Sequence, residues 1–299
     1  MSPMLGSLLV TLSALLFSAK AVVVKLAYPL GVDPDTLLCL RLLMAAPCFA
    51  VVVWWASRGQ EPLGAKRLAA IAGLGLLGYH AASILDFHGL HLIGASLERT
   101  VLYVYPLLTL AFDAALERRA PSRRLVLAAL AALFGIALTC HGGEGAVSWL
   151  GVGLVATSAL CFALYITGSA RLMRTVGSNR FTGLALCAAC GGMFVQFALT
   201  HPLNGLAQPA PVLGWAAVLA LLCTVAPALA FGAGLKAVGP ARTAVLSTIG
   251  PVGTVLLAWA CLGERPTVLN AIGMAITIAA GAVVAAKPKT PSGSASAQR

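Results

Sequence analysis

Residues 243–286 read TAVLSTIGPVGTVLLAWACLGERPTVLNAIGMAITIAAGAVVAA, and Glu264 and Arg265 are the only charged residues among them. On either side lies a charge-free run, 243–263 and 266–286. Each is long enough to cross the hydrocarbon core, for which a helix needs about 20 mostly apolar residues. Strands of a membrane barrel would instead be segments of about ten residues with alternating polarity. These runs are unbroken Leu, Ala, Val and Gly, so two spanning helices joined by a tight turn are expected.

Working outward, similar stretches recur at 4–26, 36–56, 68–88, 94–113, 124–140, 149–170, 181–200, 212–235, 241–261 and 268–286. The chain of 299 residues is 60% hydrophobic and 10% charged, whereas a soluble domain is about half apolar and a quarter charged. Its mean hydropathy is +0.93. The expected class is an all-α integral membrane protein of ten transmembrane helices. The first stretch lacks a basic n-region and nine more follow, so it reads as a retained helix rather than a signal peptide. The loops are short, leaving no room for a soluble catalytic or nucleotide-binding domain. Residues 288–299, rich in Ser, Pro and Ala, read as a disordered tail.

Lys and Arg set the orientation. Arg58, Lys66, Arg67, Arg118, Arg119, Arg123, Arg124, Arg171, Arg174, Arg180, Lys236, Arg242, Lys287, Lys289 and Arg299 fall on one side, and Lys25, Arg99 and Arg265 on the other. This places both termini in the cytoplasm and the protein in a bacterial-type inner membrane. The net charge of +11 is thereby a topology signal, and no nucleic-acid partner is needed to explain it.

The chain also aligns with itself at an offset of 145 residues. Gly6 pairs with Gly151, Ser13 with Ser158, Phe17 with Phe162, Gly89 with Gly234, Gly94 with Gly239, Pro106 with Pro251, Thr109 with Thr254 and Pro121 with Pro266. Chance would supply roughly 0.4 Pro pairs and 1.6 Gly pairs, so the excess is modest. The stronger sign is that five spans superpose on five. Because five is odd, the second unit enters the membrane from the opposite face. Two inverted five-helix repeats are expected, at 1–145 and 146–287, with a substrate path between them. The alternative is a coincidence of evenly spaced helices.

The GPVGTVLLAWACLGERPTVLNAIGMAITIAAGAVVAA of residues 250–286 resembles the closing motif of the EamA-type branch of the drug/metabolite transporter superfamily. That motif has a Pro in the penultimate helix, a Leu-Gly-Glu-Arg turn and a Gly-punctuated last helix. Residues 105–140 repeat a weaker version, and the opening segment fits, with Arg41 where the family has an Arg and Phe17 where many members have Trp. The resemblance implies ten helices and small-molecule export, usually of amino acids, metabolites or drugs. The Tyr79-His80 pair and the tyrosines are most similar to the YddG-type aromatic amino-acid exporters.

Ionisable groups inside a bilayer are paired, line a cavity or are functional. Lys20, Arg41, His80, Asp86, His88, Glu98 and Arg99 all fall in the first half, from the midplane outward, which suggests a wet vestibule there. Lys20 and Arg41 either attract a carboxylate or form ion pairs with Asp86 or Glu98. Those two acids could bind an ammonium or a coupling proton, and Glu98, next to Arg99, also reads as half of an interfacial pair. His80 is the candidate for proton handling or substrate contact; His88, His91, His141 and His201 read as interfacial. Tyr79, Ser83 and Asp86 share one helical face. Tyr103 and Tyr105, about 200° apart on a continuous helix, should not face one cavity squarely. With Tyr165 and Phe17 they could line an aromatic pocket. Pro106 and Pro251 read as hinges or kinks, and Ser247, one turn before Pro251, as a path-lining or backbone-satisfying group.

The eight Cys lie in or beside spans, and Cys187-x-x-Cys190 has no second pair, so packing rather than metal or redox chemistry is expected. No metal or cofactor is expected. Protease motifs, a filter-like segment and the nucleotide-binding G-x-x-x-x-G-K-[ST] are missing. An intramembrane enzyme is thus the weaker alternative to a transporter. A cation exporter would favour a carboxylate in the first helix, where this chain has Lys20. The expected cargo is an aromatic or other neutral amino acid, carried by a monomer in the lipid bilayer, with drugs or other metabolites as the alternative.

Overall fold

A computed structural model describes residues 2–116, 118, 120, 122–141, 147–247 and 249–285. The side chain of Ser247 and the tail expected at 288–299 lie outside the described residues. The described residues are helical and contain no strand. In chain order the helices are α1 (Pro3–Ala27), α2 (Pro34–Ser57), α3 (Ala65–Leu92), α4 (Ala95–Leu116), α5 (Arg123–His141), α6 (Trp149–Val176), α7 (Ser178–Thr200), α8 (210–247), α9 (Ile249–Leu262) and α10 (Val268–Ala285). Seven segments are long and apolar enough to cross a membrane, in α1, α2, α3, α4, α6, α7 and α8. The apolar cores of α5, α9 and α10 are shorter.

Ordinary capping chemistry starts several helices. Ser2 Oγ accepts from Leu5 N at 3.3 Å, Asp33 Oδ1 from Thr36 N at 2.9 Å and Ser148 Oγ from Gly151 N at 3.2 Å, each meeting a donor the helix leaves free. Pro3 and Pro34 occupy the first helical position, where no N–H is missed. Helix α4 has only Gly94 at its start, and the cap arrives from far along the chain. Glu264 accepts from Ala95 N at 2.7 Å, Ser96 N at 3.1 Å and Ser96 Oγ at 2.7 Å. Gly263, with φ +70°, allows the reversal that follows α9 and brings Glu264 there. The Leu-Gly-Glu-Arg turn is thus a clamp between α4 and the loop after α9.

One expected break is corrected, and another is located. No loop separates residues 235 and 241, because α8 runs through Gly239-Pro240 to Ser247, where the flanking Ala, Leu, Lys and Arg are good helix formers. Helix α4, where Pro106 is expected to hinge or kink the chain, is interrupted at Tyr103–Val104. Pro106 lacks an N–H, and its ring excludes the carbonyl four residues earlier, so the turn opens just before it.

Contacts between the two halves come in exchanged pairs. Ser13 Oγ donates to Pro227 O at 2.8 Å, and Ser158 Oγ to Ala82 O at 2.7 Å; adding 145 to Ser13 and subtracting it from Pro227 turns the first bond into the second. Gly89 packs against Val155 and Gly151 just as Gly234 packs against Val10 and Gly6. Each half also has one π-helical turn, Leu76–Ala81 and Leu221–Val225, and these begin 145 residues apart. Helices α1 and α6 therefore each lie against the opposite half. Outside this packing, Trp54, Trp55, Leu199, Trp259 and Val268 are exposed, a surface suited to lipid.

Glu264→Ala should destabilise the protein by about 0.5–2 kcal/mol, the usual worth of a lost N-cap, read as a lower Tm in detergent. Glu264→Asp, if it still reaches both amides, should lose less.

Candidate transport site

Lys20 of α1 points between α3 and α4. Its Nζ bonds to Asp86 Oδ2 and lies 3.7 Å from Glu98 Oε1. The side-chain exposures grade inward, 14% for Lys20, 5% for Asp86 and 0% for Glu98. The Asp86 and Glu98 side chains also meet each other. A buried charge is tolerable only when paired, and here one ammonium serves two carboxyl groups.

The neighbouring residue points elsewhere. Arg99 Nε donates to Thr254 Oγ1 at 3.1 Å and Nη2 to Phe17 O at 3.1 Å. Thr254 Oγ1 in turn lies 3.1 Å from Ser18 O. Successive helical side chains diverge by about 100°, so Glu98 turns inward while Arg99 turns to α1 and α9. This corrects the interfacial Glu98–Arg99 pair. Phe17 is 38% exposed and Arg99 half-buried, so this side, called the mouth below, is the more exposed edge of the cluster around Lys20.

Arg41 is also corrected. The expected carboxylate partner is taken by Lys20. Arg41 Nε instead donates to Thr224 Oγ1 at 2.9 Å, and its guanidinium lies 5.4 Å from the Phe87 ring centroid. Thr224 belongs to the π-helical turn of α8. Arg41 thereby joins α2 to α8, a structural contact with a cation–π component.

From Arg99 an aromatic row runs inward. The interruption at Tyr103–Val104 alters the 200° divergence of a continuous helix, and the Tyr103 and Tyr105 rings meet edge to face at 6.2 Å. Tyr105 meets Phe162 at 5.2 Å, and Phe162 stacks on Tyr165 at 5.9 Å. Tyr165 meets Tyr79 at 4.9 Å, their hydroxyls 3.4 Å apart. The outer members are half-buried and Tyr165 is buried. Tyr79 stands on the π-helical turn of α3, as does His80.

His80 departs from this row. Its ring lies by Gly192 and faces the Gln196 side chain of α7, and its Nδ1 is buried without a hydrogen bond. Ser83 is half-buried between Tyr79 and Asp86 on α3. Pro106 lies in the first turn after the interruption of α4, and Pro251 follows Gly250, whose O accepts from Ser18 Oγ at 2.6 Å. Ser18, Phe162, Thr224 and Thr254 were missed as site residues. Phe162 and Thr254 were visible only as repeat partners, and mid-span hydroxyls carry no local signal.

The nearest approach to a metal-ligand set among the described residues is Asp33, Asp35 and His201, whose ligand atoms lie within 4.8 Å of one another. Asp33 Oδ1 already caps α2, and His88 Nε2 engages Asp35 Oδ2 at 3.1 Å. All eight cysteines are free, and Cys190 Sγ contacts Leu42 O at 3.3 Å.

Comparison with known proteins gives a consistent picture. The family model described as EamA-like transporter family matches twice, at residues 4–140 and 149–286. An uncharacterized transporter of Bacillus subtilis, YcbK, is 29% identical over 277 residues, spanning 90% of this chain and 88% of the relative. One crystal structure superposes with a TM-score of 0.63 at 21% identity, over 93% of this chain and 96% of that one, a likeness of fold.

Lys20→Met should destabilise the protein by about 3–5 kcal/mol, because it leaves a buried carboxylate unpaired, and Asp86→Asn, which leaves Glu98 beside Lys20, should cost less. The double variant should lose clearly less than the sum of the two. Thermal unfolding of the three purified variants checks this.

Proposed function

Since the chain belongs to the EamA-like transporter family and is a multi-pass membrane transporter, we propose that it exports an aromatic or other neutral amino acid. The observation that carries this reading is the juxtaposition of two cations, Lys20 and Arg99, with the aromatic row that begins at Tyr103. Arg99 O accepts from Tyr103 N at 3.1 Å, so cation and row are adjoining turns of one segment. A substrate carboxylate would settle at the mouth against Lys20 and Arg99. Its side chain would lie along Tyr103, Tyr105 and Phe162, where offset and edge-to-face ring contacts add about 0.5–1.5 kcal/mol each. A quaternary ammonium drug would meet two like charges before any free carboxylate.

The proposed mechanism is alternating access between two inverted five-helix repeats, 1–145 and 146–287. The exchanged contacts, the paired π-helical turns and the twofold family match at a spacing of 145 residues support it. Pro106 and Pro251 would act as hinges; the opening at Tyr103–Val104 supports this for the first. Ser83 and Tyr79 would line the path between the mouth and Tyr165, and Ser247 its mirrored segment. His80, set against α7, would act on that helix interface rather than touch a ring. In this reading the protein works as a monomer in the inner membrane, with both termini cytoplasmic as the Lys and Arg distribution requires.

Proteoliposomes should exchange labelled Phe across the membrane, with Met and Thr moving more slowly. Movement of quaternary ammonium drugs without any amino acid would sink the reading. Tyr105→Ala should weaken Phe binding roughly two- to twelvefold, the equivalent of one lost ring contact, whereas Tyr105→Phe should keep most of it.

A further inference from the structure

Hydrogen-bond accounting around Glu98 leaves a donor missing. Asp86 Oδ1 and both Glu98 carboxyl oxygens are buried and accept no hydrogen bond, although the two side chains are in contact. Buried polar atoms in native proteins nearly always find partners, and leaving one unmade costs about 1–3 kcal/mol. The charge tally points the same way. Lys20 is the one ion-pair partner of these two acids among the described residues, and Arg99 spends its guanidinium on Thr254 and Phe17. Arg41, on α2, acts on Asp86 from a distance while bound to Thr224. Tyr28, at the end of α1, gives its hydroxyl to Phe87 O at 2.7 Å. Helix α9 brings the Thr254 hydroxyl to this region rather than a charge. Two ionised carboxylates would therefore face each other with Lys20 as their one bonded cation, Arg99 acting on both without a direct bond to either.

We propose that Asp86 and Glu98 hold one exchangeable proton between them and that Lys20 reports its presence to the mouth. The proton supplies the missing donor: one carboxyl donates to the other, and the remaining negative charge matches Lys20. When the proton leaves through the mouth to water, the pair carries two negative charges and grips Lys20 more tightly. When it returns, the ammonium is freer to turn toward a substrate carboxylate. This second step rests on the proposed reading of Lys20 as a carboxylate anchor; the proton itself does not.

The test of the proton is infrared spectroscopy of the purified protein in detergent, titrated between about pH 5 and 8. The wild type should show the carbonyl stretch of a protonated carboxyl, shifted in deuterium oxide and lost as pH rises. Glu98→Gln and Asp86→Asn should each abolish it, and Glu98→Gln, whose amide can donate to Asp86, should remain folded. Absence of the band from the wild type at every pH, or its persistence in either variant, overturns the proposal. Calorimetric titration with Phe tests the second step. The wild-type Kd should rise with pH while that of Glu98→Gln stays level; a pH-independent wild type removes Lys20 as the reporter. If Phe does not bind at all, the substrate reading falls, and the infrared band still decides the proton.

Discussion

The ammonium of Lys20, caught between Asp86 and Glu98, joins α1 to α3 and α4. In hydrocarbon the apolar residues drive little helix association by themselves, because lipid is as good a partner as another helix. Close backbone approach and polar contacts must supply the specificity. The glycines at 6, 89, 151 and 234 provide the first. Lys20–Asp86, Arg41–Thr224, Arg99–Thr254 and Ser13–Pro227 provide the second. Three of these four contacts link the first half to the second.

The division of labour between the halves follows from that pattern. In the first half Arg41 and Arg99 supply ions, and Thr224 and Thr254 of the second supply the hydroxyls that receive them. Thr224 and Tyr79 are equivalent positions on the two π-helical turns, yet one holds a guanidinium and the other a phenol. Lys20 and Tyr165 are likewise equivalent, and one anchors the charged cluster while the other closes the aromatic row. Equivalent positions have thus been given two chemistries, ionic around Lys20 and π-rich around Tyr165.

Much of the fold was legible because a bilayer admits few solutions. Runs such as 266–286 can only be helices, and a repeat at constant offset needs no coordinates to be seen. Less of the site was legible. The aromatic residues Tyr79, Tyr103, Tyr105 and Tyr165 could be named, but Phe162 was hidden among other apolar residues. Tyr103 and Tyr105 were set apart by assuming an unbroken helix. Glu98 and Arg99 were joined because they are neighbours in sequence, although helical geometry turns them to different partners.

By itself the sequence determined the solvent, the helical class, the spacing of the two halves and the residue types available for chemistry. These depend on composition and on periodicities that survive in any packing. Tertiary structure decided which cation meets which carboxyl, that Glu264 of the closing turn caps α4, that α8 runs on through Gly239-Pro240, and that the rings form a row beginning beside Arg99. Those outcomes depend on rotation and depth of one helix against another. A shift of one residue turns a side chain by about 100°, and no local pattern records it.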